Sequence, residues 1–337
     1  NNATDTPAAT SNGIKIAVVG SGPASLSFAG DMVRKGYSVH VFEALHEIGG
    51  VLKYGIPEFR LPNDIVDYEI EQLRRAGVEF TPDIVVGKTL SYDDLKEQGY
   101  RGIFVASGAG LPRFMDIPGE NYIGVMSSNE YLTRVNLMGA GRQGWKTPVI
   151  KGKRVAVIGG GNTAMDSCRT ARRMGAEEVY IVYRRSEAEM PARVEEVHHA
   201  KQEGVTFLTL HNPVEYLADE NGRVRAMRLQ RMELGEPDAS GRRSPVPVEG
   251  DIVEVPVDEV IVSVGVSPNP LIPSTIPGLE TTRRGTIVAD EETLETTVPM
   301  LFAGGDIVRG GATVILAMGD GRRAAAAMDR TLSQQNI

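Results

Sequence analysis

Two glycine-rich turns, about 140 residues apart, are the feature that most limits how this chain can fold. The apolar run 14–19 leads into Gly20-Ser21-Gly22, and the run 153–158 leads into Gly159-Gly160-Gly161. Short apolar runs that end in glycine are typical of buried parallel strands. Helical spacing follows each turn, at 23–35 and 162–174, and a second apolar run follows each helix, at 38–42 and 179–183. The sequence therefore predicts an α/β fold built from two βαβ units.

The first turn, Gly20-Ser21-Gly22-Pro23-Ala24-Ser25, has the spacing of a dinucleotide-binding fingerprint. Gly20 would permit the tight turn, Gly22 would let the backbone approach a pyrophosphate, and a small third residue, here Ser25, would let helix and strand pack closely. The pyrophosphate would bind at the helix N-terminus, where free amides and the helix dipole favour an anion. Glu43 ends the second strand, where an acid is expected to accept hydrogen bonds from ribose hydroxyls. The alternative is a glycine-rich turn beside a solvated glutamate.

The second turn, Gly159-Gly160-Gly161-Asn162-Thr163-Ala164, matches the fingerprint fully, with Ala164 as the small third residue. Tyr183-Arg184-Arg185 stands where the acid is expected. An acid would repel a 2′-phosphate, whereas guanidinium groups bind phosphate in a bidentate manner. The sequence therefore predicts that NADPH is preferred over NADH, with Arg184 and Arg185 on the phosphate and Arg193 as a weaker candidate. A solvated basic strand end is the alternative interpretation.

Composition excludes several other classes of protein. The net charge of −8 argues against a nucleic-acid surface, and no apolar run approaches the ~20 residues that span a bilayer. The only cysteine, Cys168, cannot form an intrachain disulfide or hold an iron–sulfur cluster, which usually takes four thiolates. A cytoplasmic location is therefore expected. His198 and His199 are interpreted as surface residues, and no metal site is predicted.

Three further segments suggest a flavin as the partner of the nicotinamide coenzyme. Gly49-Gly50 follows Glu43 and would let the backbone pass close to a flat cofactor. Gly304-Gly305-Asp306 closes a late apolar run, and Asp306 could accept a hydrogen bond from a ribityl hydroxyl. The last helix, predicted at 313–332, begins at Thr313-Val314, so its first amides could face the flavin edge that becomes negative on reduction.

Long stretches around these motifs resemble the glutamate synthase small (beta) subunit family, which includes the large subunit of NADH-dependent ferredoxin:NADP oxidoreductase and the front half of dihydropyrimidine dehydrogenase. The stretches that carry the resemblance are 43–62, 157–166 and 302–322, and the match extends over nearly all of 14–332.

This resemblance implies two Rossmann-like dinucleotide-binding domains, each with three layers. An FAD-binding domain in two segments, 14–145 and 288–337, would flank an NAD(P)H-binding domain at 146–287, and a linker would cover 1–13. It adds Leu52, Arg60, Ser107 and Gly108 to the FAD residues and Gly265 to the NADPH residues. Ser25 and Ser107 depart from the commonest Gly and Thr of the family, although both are small. The N-terminal iron–sulfur domain usual in the family is missing from this sequence, either removed or supplied by another chain.

The expected function is transfer of a hydride from NADPH to FAD, then of electrons to an iron–sulfur domain or subunit and a larger catalytic subunit. No catalytic side chain is predicted, because hydride transfer between stacked rings requires positioning rather than an acid or a base. A glutamate synthase small-subunit role is favoured over a ferredoxin:NADP oxidoreductase or a pyrimidine-reducing module. A dithiol reductase is rejected because it needs two cysteines, and an inert nucleotide-binding module is the non-enzymatic alternative.

Overall fold

The computed structural model describes residues 10–335, so most of the predicted linker at 1–13 lies outside the described residues. The described chain divides into two compact units. The first unit comprises 10–53, 58–111 and 266–335, and the second comprises Tyr54–Pro57 and Pro112–Gly265. The second unit is thus an insertion in the sequence of the first.

A parallel five-stranded sheet forms the centre of the first unit, within the residues described. Its strands are β1 (Lys15–Val19), β2 (Ser38–Phe42), β3 (Glu79–Thr81), β4 (Tyr100–Val105) and β15 (Leu301–Ala303), in the order β15-β4-β1-β2-β3. Two short strands, β5 (Leu111–Pro112) and β14 (Val266–Ser267), lie where the chain passes between the units. The helices are α1 (Pro23–Arg34), α2 (Val51–Tyr54), α3 (Asn63–Arg75), α4 (Tyr92–Glu97), α8 (Leu271–Thr275), α9 (Asp306–Arg309) and α10 (Val314–Gln335).

Helix α1 forms because its apolar residues recur on one face, and that face is buried between the sheet and α10. Phe28 and Met32 are fully buried, and the Phe28 ring stacks on Phe104 of β4 at 4.4 Å between centroids. Small residues of α10 allow the two helices to pack closely, since a Cβ at Gly321 would overlap the carbonyl oxygen of Ala24. This packing fixes the start of α1 against the carboxyl end of β1.

The second unit repeats the plan with its own five-stranded parallel sheet, again counted over the described chain. The strands are β6 (Val125–Ser127), β7 (Arg154–Ile158), β8 (Glu178–Tyr183), β9 (Thr206–Thr209) and β13 (Glu259–Val262), in the order β6-β13-β7-β8-β9. The helices are α5 (Ser128–Leu132), α6 (Asn162–Arg173) and α7 (Val194–Gln202), with a π-helical turn at Thr133–Leu137 and a 3₁₀ turn at Glu187–Glu189.

An antiparallel sheet is added to the second unit. It consists of β10 (His211–Ala218), β11 (Val224–Pro237) and β12 (Arg243–Pro256), in that order. The sequence predicts an antiparallel appendage at 215–260 made of short strands, whereas β11 and β12 are each 14 residues long. Buried Tyr216, Met227 and Leu229 pack it against the parallel sheet.

The boundaries between the units differ from those predicted at 145/146 and 287/288. Residues 112–145 belong to the second unit because β6 pairs with β13 in its sheet. Residues 266–287 belong to the first unit, where Ile272, Ile276 and Ile287 join the apolar cluster under β4. A three-residue strand such as β6 leaves too little periodicity in the sequence to mark a boundary.

Within residues 10–335, no helix is both long enough and apolar enough to cross a bilayer.

Candidate functional site

Each unit carries one glycine turn at the carboxyl end of its central strand, where open α/β sheets bind ligands. Gly20 follows β1 with φ 93°, and a Cβ there would lie 2.5 Å from the carbonyl oxygen of Ala106. Gly159 follows β7 with φ 138°, and its Cβ would overlap the carbonyl oxygen of Ser263. Both positions combine left-handed φ with backbone contact, so only glycine fits. The predicted reason for the first glycine of each fingerprint is therefore visible in the packing.

The starts of both fingerprint helices lie beside open space in the described structure, although Pro23, the first residue of α1, has no amide hydrogen to offer. Gly22 is the N-cap of α1 and Gly161 the N-cap of α6, and no side chain caps either helix in the described structure. A Cβ on Gly22 would meet nothing within 4 Å, and one on Gly161 only the edge of Pro191 at 4.0 Å, among described atoms. The first amides of a helix without such partners attract an anion, and each helix start has room for one.

A network of hydrogen bonds in the first unit joins several predicted residues. Glu43 is buried, and its carboxylate accepts hydrogen bonds from the amide and hydroxyl of Ser21 and from the amide of Leu45, at 2.9 Å for each amide. The Ser21 hydroxyl in turn accepts a bond of 3.0 Å from the amide of Gly49. Glu43, which directly follows β2, therefore stabilises the turn through its hydrogen bonds to Ser21. Ser21 could not be recognised as a site residue from the sequence, because the fingerprint allows any residue at its position.

Other predicted residues of the first unit meet at the same turn. A Cβ on Gly50 would lie 3.0 Å from the α-carbon of Gly22, and one on Gly305 would lie 3.2 Å from the Cβ of Ala24. The Ser107 α-carbon lies 3.1 Å from the Cβ position of Gly20. The set Gly20, Gly22, Pro23, Ala24, Ser25, Glu43, Gly49, Gly50, Ser107 and Gly305 is therefore brought together. The hydroxyl of Ser25 is buried and has no partner among the described residues.

The remaining predicted FAD residues lie in other segments of the first unit, and the amide of Leu52 donates to the carbonyl of Gly49 at 3.2 Å. Leu52 packs in a small cluster with Ile48, Arg60 is partly buried before α3, and Gly108 has φ 72° after β4. Asp306 begins α9 and accepts a 3.0 Å bond from the amide of Ala312. Burial raises the pKa of Asp306, the Ala312 bond lowers it, and the charge of Asp320 raises it further, so the net shift is upward. Thr313 directly precedes α10, which begins at Val314.

The second unit places Arg193 beside the Gly161 turn. The Asn162 side chain accepts a 2.9 Å bond from the amide of Arg193, and the amide of Ala192 donates to the carbonyl of Gly160 at 3.1 Å. The Arg193 side chain is 66% exposed, and its Nε lies 3.8 Å from a carboxylate oxygen of Glu195. Thr163 and Ala164 continue α6, and Ala164 is fully buried against the sheet. Gly265 lies farther on, where its carbonyl accepts from the amide of Arg113 at 3.0 Å.

The two arginines at the end of β8 have different surroundings. Arg184 is exposed, whereas the Arg185 side chain is only 7% exposed. The Arg185 guanidinium donates to the carbonyl of Arg243 at 2.8 Å and to the carboxylate of Asp238 at 2.7 Å, both in or beside the β11–β12 hairpin. The predicted phosphate contact of Arg185 is therefore at odds with the structure, because its guanidinium already binds the hairpin.

The single cysteine is buried, and the described residues form no cluster of metal-ligating side chains. Cys168 is the only cysteine; it is buried, its thiol contacts the Met165 carbonyl at 3.2 Å, and burial raises its pKa well above the ordinary value. No group of three His, Cys, Asp or Glu residues within 10–335 is arranged to hold a metal ion.

Comparison with known proteins fits the two-turn architecture. A family profile described as pyridine nucleotide-disulphide oxidoreductase matches residues 14–321. The chain belongs to the pyridine nucleotide-disulphide oxidoreductase family. The predicted enzyme class, an NAD(P)H-dependent flavoprotein oxidoreductase, is thereby confirmed, and the family supports the predicted cofactor pair of FAD and NADPH.

Curated relatives of this family member cover almost all of the chain. It is 44% identical over 97% of its length to the NADP(+)-dependent formate dehydrogenase subunit beta of Moorella thermoacetica, of which it covers 45%. It is 38% identical over 93% of its length to the glutamate synthase [NADPH] small chain of Azospirillum brasilense, of which it covers 65%. The NADPH-Fe(3+) oxidoreductase subunit beta of Geobacter sulfurreducens is 37% identical over 95% of the chain, which covers 50% of that protein. The predicted resemblance to glutamate synthase small subunits is confirmed.

Two solved structures share the fold of this chain. FprA of Mycobacterium tuberculosis in complex with NADPH matches 96% of this chain and 85% of its own, with a TM-score of 0.77 and 21% identity. Thioredoxin reductase of T. acidophilum matches 94% of this chain and 98% of its own, with a TM-score of 0.71 and 18% identity. At these identities the likeness establishes the fold alone, and it confirms the predicted pair of Rossmann-like domains.

Proposed function

We propose that this chain is an NADPH-dependent flavoprotein oxidoreductase whose first unit binds FAD and whose second unit binds NADPH. The observation that carries this assignment is the contrast between two corresponding strand ends. Val19 pairs with Phe42 and Ile158 with Val182, so Glu43 and Tyr183 hold corresponding positions, each one residue farther along. Glu43 is an acid suited to ribose hydroxyls, whereas Tyr183 is followed by the exposed Arg184, suited to a 2′-phosphate.

The residues of the first unit fit FAD. The amides at the start of α1 would bind the pyrophosphate, and the open space at Gly22 would admit it. The Glu43 carboxylate keeps lone pairs for a ribose hydroxyl, since each carboxylate oxygen can accept more than one hydrogen bond. The unpartnered Ser25 hydroxyl would gain an acceptor near the phosphate. Asp306 would accept a bond from the ribityl chain, while the amides of Thr313 and Val314, where α10 begins, would face the flavin ring.

The residues of the second unit fit NADPH with one reassignment. The amides that begin α6 would bind the coenzyme pyrophosphate beside Gly161 and Asn162. We assign the 2′-phosphate to Arg184, with Arg193 as a second contact because its backbone lies against the same turn. Arg185 becomes a structural residue that anchors the β11–β12 hairpin.

The proposed reaction, transfer of a hydride and then of electrons, depends on the chemistry of the two cofactors. When bound, FAD would take a hydride from NADPH and pass the electrons on singly, so the protein has to supply positioning rather than an acid or base. With one buried cysteine, the chain has no dithiol to receive them. We therefore propose an external iron–sulfur partner and a larger catalytic subunit of the glutamate synthase type, acting in the cytoplasm. Relatives named as small or beta subunits support a partner chain.

The test is anaerobic reduction of the chain reconstituted with FAD. Stoichiometric NADPH should bleach the visible flavin absorbance, and NADH should do so much more slowly. A ferredoxin added next should be reduced in turn, whereas a disulfide substrate should not. Failure to take up FAD, or equal rates with NADH, would contradict the proposal.

A further inference from the structure

A fully buried carboxylate, Asp320 on α10, has no part in the fingerprints or in the residues predicted for the cofactors. Its side chain is 1% exposed. One oxygen accepts from the amide of Gly305 at 3.0 Å and from Nε of Arg309 at 2.7 Å. The other accepts from Nη2 of Arg309 at 2.7 Å and from Nη2 of Arg323 at 2.6 Å. Both oxygens are therefore fully used, and Arg309 binds them as a two-pronged fork.

Burying a carboxylate away from water is unfavourable, and paired arginines often do no more than offset that cost. Burial alone would raise the pKa of Asp320, but bonds from Arg309, the Gly305 amide and Arg323 together lower it, so the charge is kept. A well-packed apolar residue could stabilise this place equally well. A role in fixing the backbone that it contacts therefore explains the network better than a contribution to folding stability does.

The network holds both ends of the segment that begins with Gly305 and ends with Arg309. Gly305 has φ 74°, and a Cβ at Gly304 would lie 2.9 Å from the Cβ of Asp320, so this backbone lies directly on α10. Asp306 lies between the two anchored points. The Arg323 guanidinium continues the network to the carbonyl of Glu291 at 2.7 Å.

We propose that Asp320 is a positioning residue for the flavin: it fixes the Gly305–Arg309 segment so that Asp306 and the Gly305 backbone are arranged for FAD before FAD binds. This inference rests on the proposed assignment of FAD to the first unit. Preorganisation of this kind raises affinity because the segment loses less freedom on binding.

The experiment compares Asp320→Asn with Asp329→Asn in the full chain. The Asp320→Asn side chain would keep the shape of the carboxylate but lose the charge that holds Arg309 and Arg323. Asp329 is a matched control on the same helix, since it also binds a cation and a second donor, Lys35 at 2.7 Å and the Tyr37 hydroxyl at 2.9 Å. The measurements are the FAD dissociation constant by titration into apoprotein, the visible circular dichroism of bound flavin, and NADP⁺ binding by the second unit.

We expect Asp320→Asn to raise the FAD dissociation constant about tenfold or more and to change the flavin dichroism, with NADP⁺ binding unchanged. Asp329→Asn should leave all three near wild type. Equal FAD binding in Asp320→Asn and wild type would overturn the inference, as would an equal loss in Asp329→Asn. Wild type that takes up no FAD would instead overturn the proposed function.

Should Asp320→Asn fail to fold, Arg309→Lys decides the question. Lysine keeps the charge at a partly exposed position but cannot form the two-pronged contact. Weaker FAD binding with altered dichroism supports positioning, whereas wild-type values for both contradict it.

Discussion

The two units of this protein share one scaffold and differ where their second strands end. In both, the central strand, its helix and the next two strands occupy the same places in the sheet order. The first glycine of each turn is pressed against a neighbouring strand end, at Ala106 in one unit and Ser263 in the other. Beyond the strand end, however, one unit buries Glu43 and the other exposes Arg184. Glycine packing thus gives both units the same turn geometry, while a few side chains beyond the strand end select the coenzyme.

The cores also differ at one corresponding position. Gly102 of β4 pairs with Ile16, and Glu259 of β13 pairs with Val155, so the two residues are equivalent in the two sheets. A Cβ at Gly102 would lie 2.6 Å from the sulfur of Met328, which fills the space. Glu259 is 1% exposed, with one oxygen bonded to the Gly152 amide and the other without a partner in the described structure. At this one position, therefore, the second unit has a buried carboxyl where the first unit has a glycine.

The largest effects are expected from alanine at the two turn glycines. Gly20→Ala should weaken FAD binding about a hundredfold or more while NADP⁺ binding persists, and Gly159→Ala should do the reverse, because each Cβ meets backbone. Gly175→Ala is the control, since it has φ 103° but no neighbour within 4 Å among described atoms. Cofactor titrations check this. If either turn variant lost the binding of both cofactors while its unit stayed folded, the assignment of one cofactor to each unit would be contradicted.

The next effect concerns Glu259 and pH. Burial raises the pKa of Glu259 to about 7, the Gly152 bond lowers it and the charge of Asp258 raises it. Because the folded-state pKa is raised, the carboxyl stabilises the fold fully below its unfolded value near 4.5, and this contribution is lost as pH rises through about 7. The loss amounts to about 3 kcal/mol.

Glu259→Gln should remove that dependence, because an amide still accepts from Gly152 but does not ionise. The variant should therefore be more stable than wild type above about pH 8, and the advantage should shrink as pH falls toward the unfolded-state value. Urea unfolding followed by the fluorescence of Trp145, the only tryptophan and a residue of the second unit, measures this. The exposed Glu177→Gln serves as control. Parallel pH profiles for wild type and Glu259→Gln would contradict the account.

A smaller and more selective effect is expected at the end of β8. Arg184→Ala should weaken NADPH binding by about 1.5–3 kcal/mol and leave NADH binding unchanged, because only the 2′-phosphate contact is lost. Arg185→Ala should affect both coenzymes alike, since its partners are Asp238 and Arg243. Coenzyme dissociation constants distinguish these outcomes. A loss confined to NADPH in Arg185→Ala would restore the original prediction for that residue.

The smallest effect is expected for Arg193. Its side chain is largely exposed, and solvent and salt weaken its attraction to phosphate. Arg193→Ala should cost about 1 kcal/mol or less in NADPH binding, and the cost should fall as salt is raised. If Arg193→Ala weakened NADPH binding as much as Arg184→Ala, with no dependence on salt, Arg193 would be a main phosphate contact and the proposed ranking of the two arginines would be wrong.

Local sequence signals predicted much of this fold. The strand at 38–42 and the start of α6 at Asn162 match the structure, and the last helix, predicted at 313–332, spans Val314–Gln335. Apolar runs and glycine turns are properties of neighbouring residues, so they can be seen without a structure. The same holds for Gly20, Gly22, Glu43 and Gly50, which motif spacing singles out and which the structure brings to one turn.

Contacts between distant residues could not be predicted in this way. Arg185 differs from Arg184 because Asp238, 53 residues away, binds its guanidinium. The Asp320 network joins residues that share no repeat or motif spacing with the fingerprints. The sequences of β11 and β12 contain charged residues and prolines, and only part of each strand packs against a core. Their apolar pattern was therefore too weak to predict two long strands.

The most direct test of the account is a crystal structure of this chain with FAD and NADP⁺ bound together. We expect the FAD pyrophosphate at the start of α1, over Gly22, and NADP⁺ at the start of α6, with its 2′-phosphate on Arg184. FAD at the start of α6, or NADP⁺ with its 2′-phosphate away from Arg184 and Arg193, would contradict it.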